Sequence, residues 1–167
     1  MTSFFRGEST KKWRIGVIDG PNMINLGKRD QGTYGAISSY YDLKGLVERV
    51  ADELGVEVVP IVTNHEGEIL DWIHATSPEL DGFLINPAGL TTYGEATRHA
   101  LEDSRKPYIE THFSNTIKHF AKTSPHIRLE SRFTSTALGL SMGMRQYSYV
   151  GALVGLVMIL DDPTFEV

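Results

Sequence analysis

Short apolar runs alternate with stretches of helical periodicity along most of this chain, and that alternation restricts the fold more than any other feature. Residues 13–19 form an apolar run that stops at Gly20-Pro21, which reads as a buried strand opening into a loop. A segment punctuated by Gly27, Gly32 and Gly35 follows. Leu43, Leu46, Val47, Val50, Ala51 and Leu54 then recur at helical spacing, with Gly55 where a helix commonly stops. The pattern repeats. Residues 56–62 are strand-like and rich in valine, 66–75 are helical, and 83–85 form a strand that ends at Asn86-Pro87. Residues 94–101 give a third helix, 108–111 a fourth strand, 137–140 a fifth, and 145–160 a closing helix.

Alternation of this kind implies right-handed βαβ crossovers, because a parallel strand is reached only by crossing a face of the sheet. The expected fold is α/β: a flavodoxin-like three-layer sandwich with a five-stranded parallel sheet. Ligands of such sheets bind at the carboxyl ends of the strands. That rule directs attention to four segments, 19–35, 63–67, 86–92 and 110–115.

The length of 167 residues suits one domain over 13–167, preceded by a tail at 1–12 that lacks the apolar core of a signal peptide and is expected to be flexible. A net charge of -5 argues against a broad phosphate-binding surface, and so against nucleic acid as a partner. The most apolar stretch, 149–160, falls short of the roughly 20 residues that a membrane helix needs. No membrane association is expected. With no cysteine, the chain has neither disulfides nor thiolate metal sites, which is compatible with a reducing cytoplasm.

Three motifs look chemical and fail on inspection. Gly139-Leu140-Ser141-Met142-Gly143 has the spacing of a hydrolase nucleophile elbow, yet such enzymes place their histidine after the serine and the last histidine here is His126. Small residues packing a helix against a sheet explain it better. The glycines of the first loop fit neither dinucleotide nor P-loop spacing. Histidines 112, 119 and 126 match no standard zinc pattern.

Three other segments carry a family resemblance, in order and position: Asp19-Gly-Pro-Asn22 through Tyr34-Gly35; Asn64-His-Glu-Gly-Glu68 with Asp71-Trp-Ile-His74; and Glu110-Thr-His112-Phe-Ser114-Asn115. In these the chain resembles the type II 3-dehydroquinate dehydratases over about residues 13 to 160. The resemblance implies a hydro-lyase that removes water from a cyclic β-hydroxy ketone through an enolate. It also implies a place in aromatic amino-acid biosynthesis or quinate catabolism, a cytoplasmic location, a homododecamer built of trimers, and no cofactor or metal.

Such a reaction needs a base for the α-proton, a holder for enolate charge and an acid for the departing hydroxyl. By resemblance, Tyr34 is the base. A free tyrosine titrates near 10, so a cation must favour the tyrosinate, and Arg29 on the same loop is similar to the family's activating arginine. Asn22 would hold a water or the enolate oxygen, a turn asparagine being the plainer alternative. His112 would be the acid. Glu110 stands two residues before it, so on a strand both side chains leave the same face and can hydrogen-bond. Phe113, Ser114 and the backbone around them are similar to the family's carboxylate-binding segment, Asn86 to a substrate-contacting asparagine, and Arg128 to its distal substrate arginine. A surface charge is the alternative for Arg128.

The chain departs from the family at two positions. Thr92 stands where a histidine usually contacts the ring hydroxyls, and His99 where an aspartate is usually supplied across a subunit boundary. Both lie on the recognition side, which leaves open the same chemistry on a different cyclic hydroxy-keto acid. A flavodoxin-like module that binds a ligand without chemistry is the remaining alternative.

Overall fold

The computed structural model describes residues 5–6 and 11–166. Five strands, β1 (Arg14–Asp19), β2 (Glu57–Val62), β3 (Gly82–Asn86), β4 (Tyr108–His112) and β5 (Gly139–Met142), form one sheet in the order β2-β1-β3-β4-β5. Every neighbouring pair is parallel. The expected α/β sandwich is therefore present, with β1 and β3 at its centre and their side chains almost wholly buried.

The helices are α1 (Gln31–Tyr34, a single turn), α2 (Tyr40–Leu54), α3 (Glu66–Thr76), α4 (Glu95–Asp103), α5 (Thr116–Thr123) and α6 (Tyr147–Asp161). One core packs α2 and α6 on one face through Leu43, Val47, Leu153 and Leu156. The other packs α3 and α4 on the opposite face through Ile69, Ile73 and Leu101. Burial of such side chains contributes about 1.5–3 kcal/mol each.

Helix α2 shows how local chemistry sets the boundaries. Ser39 caps its start, accepting from the Asp42 amide at 3.2 Å. Gly55 ends it at φ 68°, and the amides of Gly55 and Val56 reach back to the carbonyls of Asp52 and Ala51. That paired closure is a Schellman motif, available at low cost because glycine has no Cβ.

Most boundaries shift by a residue or so, and two elements start two residues later than the sequence reading. The fifth strand runs 139–142 rather than 137–140, since Leu138 only begins the ladder by donating to the Tyr108 carbonyl at 2.8 Å. The last helix starts at Tyr147, because Gly143 (φ 87°) and Arg145 (φ 55°) are left-handed and cannot extend it. Helix α5 has no counterpart in the reading. Asn115 starts it by accepting from the Lys118 amide at 3.0 Å.

Of the tail expected over 1–12, residues 1–4 and 7–10 lie outside the described residues. Arg6 is 7% exposed, pairs with Asp161 at 2.7 Å and donates to the Leu54 carbonyl at 3.0 Å. Among the described residues, no helix is long and apolar enough to cross a membrane. Ser141 lies within β5 and donates to the Ser148 carbonyl at 2.8 Å, which ties the strand to α6. This is the packing role preferred over a nucleophile.

Candidate active site

A cavity of about 220 Å³ opens at the carboxyl ends of β3 and β4. Its lining includes Arg29, Tyr34, Asn86, Thr92, His112, Phe113 and Ser114, drawn from three of the four post-strand segments singled out above.

Strand β4 delivers His112. The strand is buried throughout, and its period of two puts Glu110 and His112 on one side with Glu110 Oε1 2.6 Å from His112 Nε2. Nδ1 is then the ring nitrogen that remains for a ligand. Glu110 is fully buried, and its other partners are the hydroxyls of Ser131 and Thr134, each donating at 2.5 Å. Burial alone would raise this carboxyl. The hydrogen bonds from His112, Ser131 and Thr134, with the charge of His112, instead hold it below its ordinary value of 4.5. Neither Ser131 nor Thr134 was legible as a partner, since both lie more than 20 residues away in sequence.

The loop after β1 delivers the opposite wall. A 3-10 turn, Met23–Lys28, ends at Arg29, and Asp30 then caps α1 by accepting from the Thr33 amide at 2.8 Å. Tyr34 is the last residue of that turn, with its ring 6.1 Å from Phe113. Arg29 donates from Nη2 to the Tyr34 hydroxyl, and its guanidinium carbon lies 3.8 Å from the ring centroid. The cation therefore touches both the oxygen and the π face.

Asn86 is 4% exposed and has both amide groups engaged. Its Oδ1 accepts from the Ala88 amide at 3.1 Å, and its Nδ2 donates to the Tyr149 hydroxyl at 2.8 Å. Ala88 is left-handed, with φ 49°, so the Asn86 side chain holds the turn that borders the cavity.

Four expected residues are not on the cavity lining; Glu110 is one, buried behind His112, and the other three lie elsewhere. Asn22 is exposed at φ 74°, and its amide N–H donates to Asn64 Oδ1 at 2.8 Å, joining the first and second post-strand loops. His99 lies on the outer side of α4, 58% exposed and 3.5 Å from Glu95. Arg128 is 88% exposed, pairs with Glu130 at 2.6 Å, and borders an adjoining cleft of about 400 Å³ with Arg98 and Arg132. Thr92 lines both spaces. The reading missed Met23, Ala88, Gly89, Thr91, His119 and Phe120 as lining residues. His119 and Phe120 belong to α5, whose existence was not foreseen. Among the described residues, no group of three His, Asp or Glu side chains is arranged to hold a metal ion.

The family model for class II dehydroquinases matches residues 13–157. The chain is 39% identical over 152 residues to a 3-dehydroquinate dehydratase of Halothermothrix orenii, covering 91% of this chain and 99% of that one. It is 40% identical over 141 residues to one from Thermotoga neapolitana, covering 82% and 89%. Among solved structures it is similar to a type II dehydroquinase from Butyrivibrio crossotus, with TM-score 0.77, 31% identity, and 87% of this chain and 98% of that one covered. A type II dehydroquinase from Propionibacterium acnes also gives TM-score 0.77, at 28% identity, with 90% and 99% covered.

Proposed function

The chain belongs to the class II dehydroquinase family and is a hydro-lyase of the 3-dehydroquinate dehydratase type, and from that premise we propose that Tyr34 and His112 divide the proton transfers between them. One observation carries the assignment: the Arg29–Tyr34 pair and His112, backed by the buried Glu110, line the same small cavity. Arg29 sets its cation against the Tyr34 oxygen and ring. The phenolate oxygen takes the α-proton of 3-dehydroquinate, and the electron pair of that C–H bond moves into an enolate. As the enolate collapses, the C–O bond to the β-hydroxyl breaks and His112 gives its proton to the leaving oxygen, releasing water. The proton on Tyr34 then returns to His112 through solvent. Glu110 stabilises the imidazolium before this transfer.

Ser114 and the Phe113 backbone are assigned to the substrate carboxylate. Asn22, next to the lining residue Met23, is assigned a water-mediated hold on the enolate oxygen. Asn86 shapes the floor through the Ala88 turn. Homo-oligomeric assembly belongs to the same proposal, since the outward-facing His99 then meets a neighbouring chain. Thr92 on the lining favours a second reading, in which these groups act on a related cyclic hydroxy-keto acid.

Turnover is read directly by incubating the protein with 3-dehydroquinate and following the conjugated enone in the ultraviolet. Tyr34→Phe should abolish the signal while substrate binding persists. A variant with wild-type turnover would sink the base assignment, and a folded wild type without turnover would favour the second reading.

A further inference from the structure

Arg145, between β5 and α6, is one of four non-glycine residues with positive φ among the described residues. A long side chain in the left-handed region is strained, and this one is exposed, so its contacts with water-facing groups add little to global stability. Its contacts are nonetheless specific. The backbone amide donates to the Phe113 carbonyl at 3.0 Å, one residue beyond His112. The guanidinium Nη2 donates to the Gly32 carbonyl at 3.3 Å. The side chain also covers Gly35, where an added Cβ would come within 2.9 Å of Arg145 Cδ and 3.1 Å of Nη1.

Gly32 and Gly35 flank Thr33 and Tyr34. One residue therefore grips the turn that carries the proposed base and, through its backbone, the strand end that carries the proposed acid. Arg145 is not among the cavity-lining residues, so it has no direct hold on a ligand there. We propose that Arg145 is a positioning residue that fixes the Tyr34 turn against the end of β4. The inference rests on the reading of Tyr34 and His112 as base and acid.

The structural logic separates local from global effects. Replacing Arg145 by glycine relieves the left-handed backbone and removes the grip, whereas alanine removes the grip and keeps the strain. Lysine keeps a cation and a long stem.

The test uses the full chain with Arg145→Gly, Arg145→Ala and Arg145→Lys. Melting temperature, kcat and KM for 3-dehydroquinate, and amide hydrogen exchange are measured on each. Arg145→Gly should melt at or above the wild-type temperature yet lose about tenfold or more in kcat, with a smaller change in KM. The amides of Thr33, Tyr34 and Gly35, which bond to Asp30 and Gln31, should exchange faster while β4 is unchanged. Arg145→Ala should lose as much kcat and melt lower than the glycine variant, and Arg145→Lys should keep most of the wild-type rate. Wild-type kcat and exchange in Arg145→Gly would overturn the proposal. So would faster exchange spread evenly over β4, β5 and the turn, which would mark a general loosening. If Tyr34→Phe retains turnover, the base assignment has failed on its own, and exchange at residues 33–35 still decides whether Arg145 holds the turn.

Discussion

The Tyr149 hydroxyl, on α6, donates to the carboxyl of Asp19 at the end of β1, and both side chains are buried. Burial pushes the Asp19 carboxyl up to about 7, against the opposing effect of the Tyr149 hydrogen bond. Burial, then the charge of Asp19, pushes the Tyr149 hydroxyl up as well. Between the ordinary carboxyl value of 3.8 and about 7, the native state holds a proton that the unfolded state has lost. Stability contributed by this group is full below that window and falls as pH rises through it. Asp19→Asn should therefore match the wild type in denaturant titrations near pH 4 and exceed it by a few kcal/mol at pH 8. A difference that does not vary with pH would count against this account.

Glu110 behaves in the opposite sense. Its carboxyl is held below 4.5, so its contribution is present above that value and fades as pH falls through the lowered one. Glu110→Gln should show a stability deficit that is constant near neutrality and shrinks on acidification. It should also lower kcat by about 10- to 100-fold, because the imidazolium of His112 loses its anionic partner. Unchanged kcat would remove Glu110 from the proton-transfer set.

Arg29 is half-exposed, so Arg29→Ala should change the melting temperature little. Loss of the cation on the Tyr34 oxygen should reduce kcat by about 10²- to 10³-fold, as for removal of one preorganised donor to a developing charge. Arg29→Lys should recover only part of this, because an ammonium cannot lie across the ring and reach the hydroxyl with the same fork. Full recovery would show that charge alone suffices.

Thr92 lines the cavity where relatives of this type are expected to offer a histidine. Thr92→His should lower KM for 3-dehydroquinate by about tenfold, the effect of one regained hydrogen bond. Adding His99→Asp should help further only in an oligomer, since His99 lies outside the cavity of its own chain. If the double variant turns over no better than the wild type, altered recognition is not the role of these two positions.

The layered fold was legible because strand and helix periods alternate cleanly and each parallel strand must be reached by a crossover. The Glu110–His112 contact was legible for the same local reason, a period of two on one strand. Contacts that depend on distant chain returning to the site were not. Ser131 and Thr134 reach Glu110 from beyond α5, and no spacing announces them. Helix α5 escaped notice because its eight residues hold a single apolar repeat, Ile117, Phe120 and Ala121, and none of the three is buried in the core. Arg145 was read as the first residue of a helix, whereas its left-handed backbone ends the loop before it. Asn22 and Arg128 show the remaining limit: sequence can place a residue on a loop without fixing whether it reaches the cavity.

The clasp of Arg6 on Asp161, joined by the Trp13 indole at 2.8 Å from the same carboxylate, fastens the segment before β1 to the last turn of α6. Partners 155 and 148 residues apart in sequence thus share one carboxylate. Losing that shared anion would loosen the approach to β1 and the last turn of α6 together, while every wall of the cavity stays as it is.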